Sequence, residues 1–256
     1  MRTSIRVLVV SALLTFASAQ AAESPAIHPA IQAAVDSQDR LPKDRARDVN
    51  RHYAEILEFF GVRPGMTIIE LFGAGGTTAE VLARAVGAEG KVYMQNPQFF
   101  YERFGTQAVD ERLANNRLPN VVRLDKPLND MGLAPHSLDG AVAFMVLHDF
   151  FWLSQDVPGV LADVYKALKP GGWFGVVDHS APAGSGARDA LDRDKGTHRV
   201  DEAYVKKLFA EAGFVLEASN DALRNPADDR SKPFYDESFR GKSTDRFVLR
   251  FRKKAE

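Results

Sequence analysis

Val49, Tyr53, Ile56, Leu57 and Phe60 recur at spacings that put one apolar stripe on one helix face, so the first well-patterned element reads as an amphipathic helix. The polar block from Asp36 to Asp48, which contains Pro42, reads as a link to an earlier helix in the stretch from Ser24. Arg63-Pro64-Gly65 then turns the chain into a strand, Met66 to Leu71. Beyond it the pattern alternates. Val81, Leu82 and Val86 mark a helix that Thr77 or Thr78 can cap and Gly87 stops. Lys91 to Met94 is a short strand, a polar helix runs from about Gln98 to Asn115, and Val121 to Leu124 is a third strand. Leu138 to Leu147 is almost entirely apolar, as a strand covered on both faces should be. Val157, Val160, Leu161, Val164 and Leu168 mark another helix, ended by Lys169-Pro170-Gly171-Gly172. Trp173 to Val177 is a fifth strand. Asp201 caps a helix carrying Val205, Leu208 and Phe209, and Phe214 to Ala218 and Asp245 to Arg252 complete the strands.

Repeated strand–helix alternation predicts an α/β protein with a doubly wound, mostly parallel, seven-stranded Rossmann-like sheet. The divisions expected are a helical extension over 22–62 and the α/β domain over 63–256. Ligands of such sheets bind beyond the carboxyl ends of the strands, so the residues just after each strand are the ones to inspect.

Arg2 and Arg6 followed by the apolar run Val7 to Ala17 read as a signal peptide over 1–21. Ala17-Ser18-Ala19 and Ala19-Gln20-Ala21 both suit a signal peptidase; an uncleaved anchor is the alternative. Export to the periplasm or outside the cell is therefore expected. Net charge is −1, which gives no basic excess for nucleic acid, and no further apolar run suggests a membrane span after cleavage. The chain has no cysteine, which excludes disulfides, thiolate metal sites and a cysteine nucleophile.

Glu70 ends the first strand and leads into the turn Gly73-Ala74-Gly75-Gly76, where backbone N–H groups and a helix N-terminus can approach a nucleotide-like ligand. With Leu124-Asp125, Leu138-Asp139-Gly140-Ala141-Val142, Leu168-Lys169-Pro170-Gly171-Gly172 and Ala212-Gly213-Phe214 in this order, the chain resembles a class I S-adenosylmethionine-dependent methyltransferase. The resemblance runs from about Val62 to the C-terminus. Val177-Asp178-His179-Ser180, Thr197 to Asp201, Leu223 to Asp228 and Thr244 to Phe247 look like a bacterial group of predicted exported methyltransferases.

The resemblance implies S-adenosylmethionine as cofactor and a small-molecule methyl acceptor. It places Glu70 near the cationic part of the cofactor or a water beside it, Gly73, Gly75 and Gly76 along its methionine and ribose portions, and Asp125 at the adenine amino group. Asp125 is equally a turn residue before Pro127. Two departures stand out. The common turn has glycine at the second, fourth and sixth places after the acidic residue; here those places hold Phe72, Ala74 and Gly76, so a different backbone path is expected. The acidic residue that usually ends the second strand and grips the ribose is replaced by Gln95 and Asn96, of which Asn96 is the cofactor-binding candidate. An amide bonds hydroxyls without a carboxylate's charge-assisted strength.

His148-Asp149 after the fourth strand and Asp178-His179 after the fifth should be neighbours, with His198-Arg199 on a later loop folding over the same mouth. Histidine is the natural general base near neutral pH and aspartate can orient it, so these four residues are the catalytic candidates. Loop capping is the alternative role. His and Asp suit zinc or manganese, so a metal reading stays open, but no His-x-x-x-His or similar local pair exists and none of these residues is expected to be a metal ligand. Arg224 to Lys242 reads either as a lid, with Arg224 or Arg230 meeting an anionic acceptor, or as a plain surface loop. Besides methyl transfer, two readings stay open: a ligand-binding module on the same fold, and a His/Asp enzyme that does not use S-adenosylmethionine. No Gly-x-Ser-x-Gly elbow is present, which argues against a serine hydrolase.

Overall fold

The computed structural model describes residues 26–154 and 156–255; the expected signal peptide lies outside them. Three helices, α1 (Pro29–Asp36), α2 (Pro42–Arg45) and α3 (Tyr53–Phe60), precede the sheet. Then follow β1 (Thr67–Glu70), α4 (Thr77–Val86), β2 (Lys91–Gln95), α5 (Gln98–Phe104), α6 (Gln107–Leu113), β3 (Val121–Leu124) and β4 (Leu138–Phe144). The second half comprises α7 (Leu147–Leu153), α8 (Val157–Ala167), β5 (Leu168–His179), α9 (Glu202–Glu211), β6 (Val215–Asn220) and β7 (Arg246–Arg252). The seven strands form one sheet in the order β3-β2-β1-β4-β5-β7-β6. Only β7 runs against its neighbours, pairing antiparallel with both β5 and β6. The order reverses between β1 and β4, and their carboxyl ends open the crevice where ligands of such sheets bind.

The helical extension is not a separate unit. Ile31, Ala34, Tyr53, Ile56, Leu57 and Phe60 belong to the same buried core as the strands. Phe60 stacks on Trp173 of β5 with ring centroids 5.8 Å apart, where Gly175 leaves space for its ring.

Four element boundaries differ from the sequence expectation. The α3 stripe begins at Tyr53, because His52 is left-handed and Val49 is exposed on a 3₁₀ turn. The helix expected over Gln98 to Asn115 is two helices, broken where Gly105 takes a positive φ of 74°. The fourth strand stops at Phe144 because Met145 turns left-handed at φ 59°, and Leu147 opens α7 instead of ending the strand. The fifth strand starts earlier than expected, at Leu168, and carries the Pro-Gly-Gly segment across a register shift against β4.

Candidate active site

Above the carboxyl ends of β1 and β4 lies a cavity of about 610 Å³. That is within the roughly 300–1,000 Å³ usual for small-molecule sites. Glu70, Phe72, Gly73, Ala74 and Gly75 form one wall, Phe144 to Val146 the floor, and Thr77 and Thr78 the start of α4. The extension closes it with Lys43, Arg47 and Arg51, and the C-terminal segments add Phe234, Lys242 and Arg246. Phe72 packs edge-on against Phe100 and borders the cavity without filling it.

Glu70 is the chemical centre of this wall. It is buried, and its Oε2 accepts no hydrogen bond from any described residue. Burial pushes its pKa up to about 7, against the pull of the Thr78 hydroxyl, the Ala79 N–H and, at longer range, Arg112 and Arg51. A chain of donors leads to it: Arg51 donates to the Tyr53 hydroxyl at 2.9 Å, which lies 3.0 Å from Thr78 Oγ1. Gly73 must be small here, since a Cβ on it would lie 2.6 Å from Glu70 Oε2.

The glycine turn follows a path that its residue types disguise. Phe72 and Ala74 have φ of 47° and 49°, and Gly76 has 77°. Left-handed backbone therefore occurs at all three places where glycine is common in such turns. For side-chain-bearing residues that conformation costs about 1–2 kcal/mol each. The two amides at the end of β2 offset it. Gln95 Oε1 accepts from the Phe72 N–H at 2.9 Å, and Asn96 Oδ1 accepts from the Ala74 N–H at 2.8 Å while Asn96 Nδ2 donates back to the Ala74 carbonyl at 2.9 Å.

Several sequence candidates are consequently elsewhere. Asn96 is fully buried behind the turn and does not line the cavity, because its amide is consumed by Ala74. Asp125 is turned to the outside, accepting from the Tyr101 hydroxyl at 2.7 Å and from Arg123 at 2.6 Å. Gly76 is behind the wall, where a Cβ would meet Met94 and Arg112. Arg224 and Arg230 are engaged by Glu202 and Asp245 and do not line the cavity; the segment contributes Phe234 and Lys242 instead.

His148, His179 and His198 do converge, with ring centroids 5.7 and 5.5 Å from His148. The pairing is across strands, not along the sequence. Successive strand residues point to opposite faces, so Asp178 and His179 cannot join their side chains. Asp178 instead meets His148, with Oδ1 2.7 Å from Nδ1, and accepts the His148 and His179 backbone N–H groups. Burial opposes charge on His148, but Asp178 and Asp149 outweigh it and raise its pKa to about 9. Of the three rings only His179 lines the cavity. It stacks on Phe234 at 4.6 Å, its Nδ1 is 2.6 Å from Thr244 Oγ1, and burial together with Arg246 and His148 holds its pKa well below the usual histidine range.

Sequence reasoning missed Phe234, Lys43, Arg47, Arg51, Lys242 and Arg246. Lys43 and Arg47 come from a segment that reads as a polar linker, Arg51 and Arg246 from elements read as a helix and a strand, and nothing in their local pattern marks them for a cavity.

Comparison with known proteins bears on the fold. A family profile described as a methyltransferase domain matches residues 73–176. A sterol 24-C-methyltransferase of Yarrowia lipolytica is 27% identical over 199 residues, 72% of this chain and 48% of that protein, so the chain spans about half the length of this curated relative. The structure of an S-adenosylmethionine-dependent methyltransferase from Aquifex aeolicus superposes with a TM-score of 0.57 at 19% identity, covering 78% of this chain and 88% of that one. A possible exported protein from Bordetella parapertussis gives 0.53 at 15% identity, with 88% and 78% covered. The chain thus carries a methyltransferase-domain match over residues 73–176 and shares the fold of S-adenosylmethionine-dependent methyltransferases.

S-adenosylmethionine, the cofactor that the resemblance implies, would suit the cavity wall. A buried, unpartnered carboxylate oxygen suits a cationic sulfonium or ammonium group, and the bare backbone of Gly73 and Gly75 allows close approach beside it. Among the described residues Lys43, Arg47, Arg51, Lys242 and Arg246 form no salt bridge, though Arg51 donates to Tyr53 and Arg246 to the Asn50 carbonyl and Thr244. No helix of the described residues is long and apolar enough to cross a membrane.

Proposed function

We propose that this protein transfers a methyl group from S-adenosylmethionine to a small-molecule acceptor carrying an anionic group. The observation that carries the reading is the orphaned Glu70 Oε2 on the cavity wall beside Gly73. Glu70, Gly73 and Gly75 would hold the cofactor, which supplies an electrophilic methyl group when bound. The five cations on the wall that pair with no carboxylate support an acceptor bearing a carboxylate or phosphate. A sterol, which the name of the Yarrowia relative suggests, matches so charged a wall poorly. His179 is the imidazole placed to take a proton from the acceptor: with Nδ1–H directed at Thr244, Nε2 remains free. Its low pKa keeps it neutral, and much of the acceleration would come from orientation in the cavity. The N-terminal pattern Arg2 to Ala21 supports export, so the acceptor would be met in the periplasm or outside the cell.

Calorimetry with S-adenosylmethionine and S-adenosylhomocysteine tests this. Micromolar binding of both, weakened at least about tenfold by Glu70→Gln, is expected. Absence of heat and of any thermal shift at millimolar ligand would overturn the reading.

A further inference from the structure

His148, Asp149 and His198 bring one possible ligand atom each into a single cluster. Nε2 of His148 lies 3.5 Å from Asp149 Oδ1, and Nδ1 of His198 lies 3.4 Å from the same oxygen. These separations exceed the 2.7–3.2 Å range of N–H···O hydrogen bonds. They match what two ligands of one ion require, since metal bonds of about 2.0–2.2 Å at tetrahedral or octahedral angles put neighbouring ligands roughly 3–3.6 Å apart. One ligand atom from each of the three residues falls within 4.8 Å of the others.

The opposite edge of each ring is already fixed. His148 Nδ1 faces the Asp178 carboxylate at 2.7 Å, and His198 Nε2 faces the Arg193 carbonyl at 2.7 Å. A carboxylate and a carbonyl only accept, so each neutral ring carries its hydrogen on the anchored nitrogen. The other nitrogen of each ring then presents a lone pair to a carboxylate oxygen. Trp152 Nε1 donates to that oxygen at 2.8 Å and fixes its position. A carboxylate behind a ligating histidine is the usual support of a bound metal.

We propose that His148, Asp149 and His198 bind one divalent transition-metal ion, with Asp178, the Arg193 carbonyl and Trp152 as its supporting shell. Two imidazoles with one carboxylate select zinc, iron or cobalt over magnesium and calcium, which prefer all-oxygen sites. His148 is buried, but Asp149 and His198 are partly exposed, which gives an ion a way in. Phe234 packs against the His148 and His198 rings and also lines the cavity, so one aromatic layer separates the ion from the proposed acceptor. Local spacing could not reveal this site, because its ligands come from α7 and from a loop some fifty residues later.

Titrating EDTA-treated, dialysed protein with zinc chloride tests the proposal without S-adenosylmethionine, so its result is independent of methyl transfer. One zinc per chain is expected, with affinity reduced more than about tenfold in His198→Ala and about 10–100-fold in Asp178→Asn. Cobalt chloride on the wild-type protein should give the visible ligand-field bands of a nitrogen-ligated site, a readout that stands even if a variant fails to fold. Undetectable zinc binding, zinc binding unchanged by His198→Ala, or magnesium binding as tight as zinc would each overturn it.

Discussion

Asn96 and Ala74 exchange two hydrogen bonds, 2.8 Å to the Ala74 N–H and 2.9 Å from its carbonyl, and Ala74 is left-handed at φ 49°. An asparagine side chain thereby substitutes for the conformational freedom of glycine. Removing it by Asn96→Ala should cost roughly 2–3 kcal/mol, from two buried bonds and the carbonyl left unpaired. Ala74→Gly in the same chain should recover up to about 1 kcal/mol, because glycine needs no such restraint. Urea unfolding of the two single variants and the double variant measures this coupling. Strict additivity would show that the amide does not hold the turn.

The raised pKa of Glu70 makes stability depend on pH. Its folded value of about 7 lies above the 4.5 of an unburied glutamate. A group raised in this way leaves stability whole below pH 4.5 and removes it progressively as pH climbs through 7. The gap corresponds to roughly 3 kcal/mol at pH 8. Glu70→Gln should therefore match the wild type near pH 4.5 and exceed it by an amount of that order at pH 8. Chemical unfolding across this range decides it; a constant difference would show that Glu70 titrates as an exposed acid. Cofactor that pairs with the ionised form should bind more tightly as pH rises from 6 to 8.

The strand–helix succession was legible because periodicity depends only on local burial. Leu138 to Phe144, Val121 to Leu124 and the α9 cap Asp201 follow that logic. Glu70 was legible because a strand-end carboxylate before a glycine-rich turn is a local pattern. The partner of Asn96 was not, since its amide bonds a residue 22 positions away. The His148–Asp178 pair was half legible: the strands were expected to be neighbours, but partner choice depends on side-chain direction across two strands. The cationic wall was hidden because linker cations near Arg47 look like any solvated segment until the chain folds back.

Arg112 ties three parts of the molecule. It donates to Asp44 of the extension at 2.7 Å, to Glu80 of α4 and to the Gly75 carbonyl. Burial works to raise the pKa of Asp44 and of Glu80, yet the surrounding arginines outweigh it and hold both below the ordinary range. Their stabilisation is thus present above the usual carboxylate pKa and disappears as pH falls through the lowered values. Arg112→Met should cost roughly 3–5 kcal/mol at neutral pH, because it strands the buried Asp44 carboxylate and takes one of three arginines from Glu80. The loss should shrink in acid. Denaturant midpoints at pH 7 and pH 3 that drop by equal amounts would contradict a charge-based role.

Gly73 and Gly75 allow a paired test of the cavity wall. Neither has the positive φ that would penalise alanine by itself, so any difference between them is steric. At Gly73 a methyl would lie 2.6 Å from Glu70 Oε2 and 3.0 Å from Met94 Cγ, whereas at Gly75 the nearest atom is Ala108 Cβ at 3.4 Å. Gly73→Ala should destabilise the fold by about 1–3 kcal/mol, as overpacking does. It should also weaken S-adenosylhomocysteine binding at least tenfold, because the methyl crowds the oxygen on which the cofactor would depend. Gly75→Ala should leave the thermal midpoint within the roughly ±0.5 kcal/mol typical of harmless substitutions. Equal destabilisation of the two variants, or unchanged binding in Gly73→Ala, would show that the Glu70 oxygen is not the point of contact.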